Sequence, residues 1–125
     1  MKYLFILLFI NLCSVNSAQD KHDNIWLFGH GPNRPIEYFG GCMIDFNSGL
    51  PEIKYFNINT RLFDCSSICN SDGNLSLYTN NCAIYSDKHL VVPNSDTLNF
   101  GKIYEDYCKG VLEAYPTKSS TLFLP

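Results

Sequence analysis

Charge is scarce in this chain and nowhere concentrated. Only 17% of the 125 residues are Asp, Glu, Lys or Arg, and the nine Lys and Arg form no basic cluster. Twelve Asp and Glu leave a formal net charge of −3. Neither nucleic acid nor an anionic membrane surface would be drawn to such a chain electrostatically. Long apolar runs are missing too, since no segment approaches the roughly 18 to 20 residues that a membrane span needs. There is no convincing amphipathic helix and no catalytic constellation. Ser66, Ser67, Ser119 and Ser120 lack the glycine-flanked elbow that exposes a nucleophile. His30 and His89 have no neighbouring acid, nucleophile and orienting group that the sequence can identify. Cys65-x3-Cys69 stands alone, with Cys82 and Cys108 at irregular spacing, which is a poor zinc pattern. The expectation is a chain without enzymatic activity, cofactor or metal.

What is present begins with an export signal. Lys2 precedes the apolar run Tyr3 to Ile10, and Val15 and Ser17 supply small residues at −3 and −1 of a cut before Ala18. Residues 1–17 read as a signal peptide, and Ile10 and Leu12 do not give Cys13 the context of a lipoprotein cut. The mature chain of 108 residues is enough for one small domain with one core. Residues 18–24 form a polar lead, and residues 25–125 form the domain. The expected location is secreted or at the cell surface.

Five cysteines survive processing: Cys42, Cys65, Cys69, Cys82 and Cys108. Export brings oxidising conditions, so pairs should form and at least one thiol must stay unpaired. Cys82 with Cys108 is the favoured pair, because it clips a long polar loop to a strand.

The most legible stretch is Cys65 to Ser86. Three short runs, Cys65–Asn70, Leu75–Thr79 and Cys82–Ser86, are separated by two turn signals and predict a three-strand antiparallel β-meander. Asp72, Gly73 and Asn74 tolerate positive φ, and Asn80-Asn81 suit a two-residue type I′ hairpin. Leu75, Leu77 and Thr79 alternate with Ser76 and Tyr78, as in a strand with one drier face.

Elsewhere, Ile25–Phe28 reads as a buried strand ended by Gly29, and His30–Pro35 as a loop. Ile36–Phe39 suggests a short edge strand. Cys42–Phe46 is a further run before the turn at Asn47–Gly49, and Glu52–Ile58 is a strand or extended loop. His89–Val92 is a brief apolar run. Ser95–Lys118 reads as an ordered loop held by Cys108, with one helical turn around Ile103–Tyr107, and Ser119–Pro125 as the start of a strand. Short strands with frequent turns make the chain all-β.

Two features could carry binding. Asn70-Ser-Asp-Gly-Asn74 offers oxygen ligands at alternate positions for calcium, although it lacks the glycine position and the distal acid of an EF-hand, and a hairpin turn explains the same residues. The aromatic residues Trp26, Phe28, Tyr38, Phe39, Tyr55, Phe56, Tyr78, Tyr85, Tyr104, Tyr107 and Tyr115 read first as core, and an exposed cluster among them would make a platform for sugars or peptides. Asn74-Leu75-Ser76 is an N-glycosylation sequon, placed awkwardly at a tight hairpin.

Six segments follow one another in a recognisable order: Asn24–Gly29, Ile44–Pro51, Cys65–Ile68, Asp72–Thr79, His89–Asn94 and Ser119–Thr121. Together they resemble the amino-terminal region of large secreted Bacteroidota proteins, Saprospiraceae-like in type, that carry a WD-repeat-like β-propeller. Such proteins often add adhesion modules and a carboxy-terminal sorting domain for type IX secretion or gliding motility. The resemblance covers most of the mature chain. It implies the first blade or blades of an incomplete β-propeller, a non-catalytic interaction or adhesion role, and a protein or glycan partner at the cell surface. It also suggests pairing of Cys82 with Cys108. A propeller closes with about four to eight blades, and 108 residues supply one blade and part of another. A fragment of a longer reading frame is therefore expected, since an unclosed sheet leaves edges that invite association. The alternatives are a piece of a secreted enzyme whose active site lies in other blades, and an independent small disulfide-rich binding protein.

Overall fold

The computed structural model describes residues 21–29, 40–58, 60–109, 115 and 121–124. The signal peptide, residues 18–20 of the polar lead, His30, the expected edge strand Ile36–Phe39 and Ser119–Ser120 lie outside the described residues. The architecture is all-β and antiparallel, in two three-stranded meanders. The first contains β1 (Ile25–Gly29), β2 (Gly41–Asp45) and β3 (Glu52–Phe56), in that order. The second contains β4 (Ser66–Cys69), β5 (Leu75–Thr79) and β6 (Ile84–Ser86). Among the described residues one short helix, α1 (Lys102–Tyr107), follows.

Alternation within the strands gives the first sheet two unlike faces. Its inner face carries Ile25, Leu27 and Gly29 on β1, paired across to Asp45, Met43 and Gly41 on β2. Phe56 completes the last row on β3. Gly41 has no side chain for a physical reason: a Cβ there would meet the Phe56 ring at 2.7 Å. Ile25 and Leu27 join Ile58, Leu62, Cys69 and Tyr78 in one buried cluster, with Met43, Phe56, Cys65, Leu75 and Tyr85 packed on it. The two sheets thus share a single core.

Polar contacts fasten the sheets along β1 and β4. The Ser67 hydroxyl donates to the Ile25 carbonyl at 2.8 Å, and the Cys69 amide donates to the His22 carbonyl at 2.8 Å. At the turn ends, Asn47 Nδ2 donates to the Gly73 carbonyl at 2.8 Å. Gly73 has φ +86°, and a Cβ on it would fall 2.0 Å from Asn47 Oδ1. The glycine therefore serves both the turn and the meeting of two turns.

The central meander forms as expected, with two corrections. First, β5 does not keep a period of two from end to end. Ile68 pairs with Leu77 but Cys69 with Leu75, so Ser76 is an extra residue. That bulge moves Leu75 onto the side of Tyr78. Tyr78 is only 1% exposed and its neighbour Thr79, on the opposite face, is 0% exposed, so this end of β5 is dry on both faces.

Second, Asn80-Asn81 is not a two-residue type I′ hairpin. Thr79 pairs with Ile84, which leaves Asn80–Ala83 as a four-residue connection, and of the two asparagines only Asn81 has positive φ. Side chains compensate for the missing ladder bonds. Asn80 Oδ1 accepts from the Cys82 and Ala83 amides at 3.0 Å, and the Thr79 hydroxyl donates to the Ala83 carbonyl at 2.6 Å. These residues are buried, where unpaired polar groups are costly, and Asn81 Oδ1 is the one buried polar side-chain atom among the described residues without a partner.

The segment after β6 runs back beside it without becoming a strand. Val92 N donates to the Ile84 carbonyl, and Leu98 N to the Cys82 carbonyl, each at 2.9 Å. The helical turn foreseen near Ile103 is α1, which buries Tyr104, and the Tyr104 hydroxyl donates to the Asp96 carbonyl at 2.7 Å. A disulfide joins Cys82 to Cys108, the expected pair, and ties the end of α1 to the buried connection. Residues 121–124 are not a strand.

Candidate functional site

The outer face of the first sheet is where the pattern becomes unusual. Its two rows are Trp26–Ile44–Ile53 and Phe28–Cys42–Tyr55, running across β1, β2 and β3. None of the six residues carries a charge. Trp26 is 50% exposed and Tyr55 60%, with Phe28 and Ile53 similar. Trp26 is fixed in place rather than free: its Nε1 donates to the Asp23 carbonyl at 3.0 Å, and its ring meets Phe46 edge-on at 5.1 Å between centroids. Single exposed apolar residues need no explanation, but a contiguous aromatic and aliphatic face does.

The sheet turns its charged residues to the other side. Lys54 donates to Asp45 Oδ2 at 2.9 Å, and Asp45 also accepts from the Asn47 amide at 2.9 Å. That backbone hydrogen bond, with help from Lys54, holds the Asp45 carboxyl below its ordinary range.

At the β1 edge of this face lies a cleft of about 290 Å³. Trp26 and Phe28 form part of its wall, and Cys65, Ser66 and Ser67 line it from the β4 side. Leu122 also lines it, and Asp23 is the single charged residue of the lining. Burial pushes the Cys65 thiol up to about 12, so it is neutral at pH 7 and a poor nucleophile there. Cys69 is raised by burial as well.

The other sequence candidates fall elsewhere. His89 stacks on Phe56 at 4.6 Å and shares a 3.2 Å hydrogen bond with the Tyr78 hydroxyl. Its burial lowers its affinity for a proton, with Asp87 opposing. Burial raises the Tyr78 phenol in turn. The pair packs on the core, and neither residue is in the lining of the cleft. In the Asn70–Asn74 turn, the Asn70 side chain accepts from the amides of Asp72 and Asn74, each at 3.0 Å. Its oxygen is thus engaged in shaping the turn, and among the described residues no group of three or more His, Cys, Asp or Glu could hold a metal. No helix among them is long and apolar enough to cross a membrane.

Of the aromatic residues singled out from the sequence, Phe56, Tyr78, Tyr85 and Tyr104 belong to the interior or pack against it, while Trp26, Phe28 and Tyr55 form the open face. The signal was in the alternation of Ile25-Trp-Leu-Phe28, whose even positions continue into Ile44 and Cys42 once the register is known. Comparison with known proteins finds no matching family model, no matching curated protein and no matching solved structure.

Proposed function

We propose that the chain is a non-catalytic exported interaction module, the leading part of a β-propeller that contacts protein or glycan at the cell surface. The observation that carries this reading is the uncharged outer face of β1–β2–β3, with Trp26, Phe28, Ile53 and Tyr55 all about half exposed. Apolar area left in water costs roughly 25 cal/mol per Å² relative to burial, so covering such a face is favourable. A propeller blade is a four-stranded sheet, so this reading takes each three-strand meander as an incomplete blade. Export accords with the Lys2 and apolar Tyr3–Ile10 leader and with a disulfide, which persists in oxidising compartments. The neutral Cys65 thiol accords with a binding role instead of nucleophilic catalysis.

A second reading, an independent small binding protein, is favoured by one observation: both sheets share one core and a disulfide ties down the segment after β6. Expression from its own start codon in a Bacteroidota host, followed by fractionation, tests export. Recovery at the cell surface or in the medium, shortened by about the length of residues 1–17, is expected, and full-length product retained in the cytoplasm would overturn it.

A further inference from the structure

The cleft between β1 and β4 is partly occupied by the chain itself. The Ser66 hydroxyl donates to the carbonyl of Thr121, and Leu122, one residue on, lines the cleft beside Trp26 and Phe28. The segment Thr121–Leu124 has no regular secondary structure and makes no strand pairing. Its hold is slight: Leu122 is 78% exposed although it touches the cleft, and Leu124 is equally exposed. About 290 Å³ remains open around it. The walls offer two kinds of contact, apolar from Ile25, Trp26, Leu27 and Phe28, and polar from the serine hydroxyls of β4. Ser67 is already committed to the Ile25 carbonyl, which leaves Ser66 as the hydroxyl that meets the incoming main chain.

From this we propose that the β1/β4 cleft is a binding site for an apolar peptide segment, with Thr121–Leu124 as its resident and exchangeable occupant. The recognition chemistry is that of the resident segment: a main-chain carbonyl accepts from Ser66, and the next residue places an aliphatic or aromatic side chain against Trp26 and Phe28. Asp23, the only charge in the lining, disfavours acidic peptides. The cleft adjoins the outer face of the first sheet and shares Trp26 and Phe28 with it, while Ser66 and Leu122 belong to the cleft alone and let it be tested apart from the exported-module reading.

The resident segment competes with any added peptide, so the apparent affinity is reduced by the fraction of time the cleft is free. The test uses the full chain and a labelled, end-capped Thr-Leu-Phe-Leu peptide, followed by fluorescence anisotropy and by emission of Trp26, the single tryptophan. L122D removes the resident side chain at an exposed position, where folding is not at stake. If the resident segment fills the cleft nine-tenths of the time, L122D binds the peptide about tenfold more tightly than the natural chain. Adding S66A to L122D then weakens capture, and a Thr-Asp-Phe-Leu peptide is not captured. No capture by L122D, or capture indifferent to both S66A and the Asp-bearing peptide, overturns the proposal. A concentration-dependent dimer of the natural chain that L122D abolishes would place a second copy in the cleft, which also overturns it.

Discussion

Replacing Cys82 and Cys108 together by alanine removes the disulfide that ties the end of α1 to the core. The two residues are 26 apart in sequence. In the chain-entropy relation a loop of that size corresponds to about 12 cal/mol/K, or about 3.5 kcal/mol at 25 °C. Small domains have only about 5–15 kcal/mol of stability to lose, so the effect should be large. For a domain near 100 residues each kcal/mol shifts Tm by about 4–8 °C, giving an expected fall of about 14–28 °C. The structure adds a reason for the loss to spread. Cys82 sits in the buried Asn80–Ala83 connection, whose amides depend on Asn80 Oδ1, and Leu98 N donates to the Cys82 carbonyl. Thermal unfolding followed by circular dichroism measures it, with the natural chain in reductant matching the double variant. A fall below about 5 °C would mean that the contacts of Tyr104 and Leu98 hold the segment unaided, and that the bridge restrains little of the unfolded chain.

Gly73→Ala should destabilise by about 2 kcal/mol, since alanine is disfavoured at φ +86° and its Cβ would displace Asn47 from the turn contact; chemical denaturation of the variant measures this, and an unchanged midpoint would refute the two-turn clamp. His89 supplies a pH dependence. Its folded proton affinity is lowered below the ordinary 6.5 by burial, so the unfolded chain takes up the proton first and stability falls as pH drops from 6.5 through the lower folded value. His89→Asn, which tolerates the positive φ of that position, should flatten the slope in that window at the cost of the stack on Phe56; denaturation midpoints between pH 7.5 and 5 decide, and an unchanged slope would show that His89 is not its source.

The strands most easily read from sequence were those bounded by turn chemistry. Asn47-Ser-Gly49 and Asp72-Gly-Asn74 punctuate the chain, and β2, β3, β4 and β5 end beside them. The Ser76 bulge was invisible because it arises from pairing with Cys69 across the turn, not from β5's own pattern. The Asn80–Ala83 connection departs from the expected hairpin for a related reason. Two asparagines permit a type I′ turn, but here Asn80 is spent on capping amides and hydrogen-bonds Thr60 Oγ1 at 2.7 Å, a partner twenty residues away. The candidate face was half legible. Ile25-Trp-Leu-Phe28 reads as a buried strand because all four residues are apolar, yet only Ile25 and Leu27 are buried. Which face stays open depends on what lies above it, and no local pattern encodes that. The pairing of Gly73 with Asn47 is likewise a tertiary fact, although the glycine itself was expected in a turn.

The central claim is that the outer face of β1–β2–β3 is an open apolar contact surface. Binding of the hydrophobic dye 1-anilinonaphthalene-8-sulfonate to the full chain, compared with an I53D/Y55D variant, tests it most directly, because both positions are exposed and the fold should survive the change. The account predicts bright, blue-shifted dye emission with the natural chain and loss of most of it in the variant, at unchanged far-ultraviolet circular dichroism. Weak dye binding by the natural chain, or emission that the two aspartates leave intact, would contradict it.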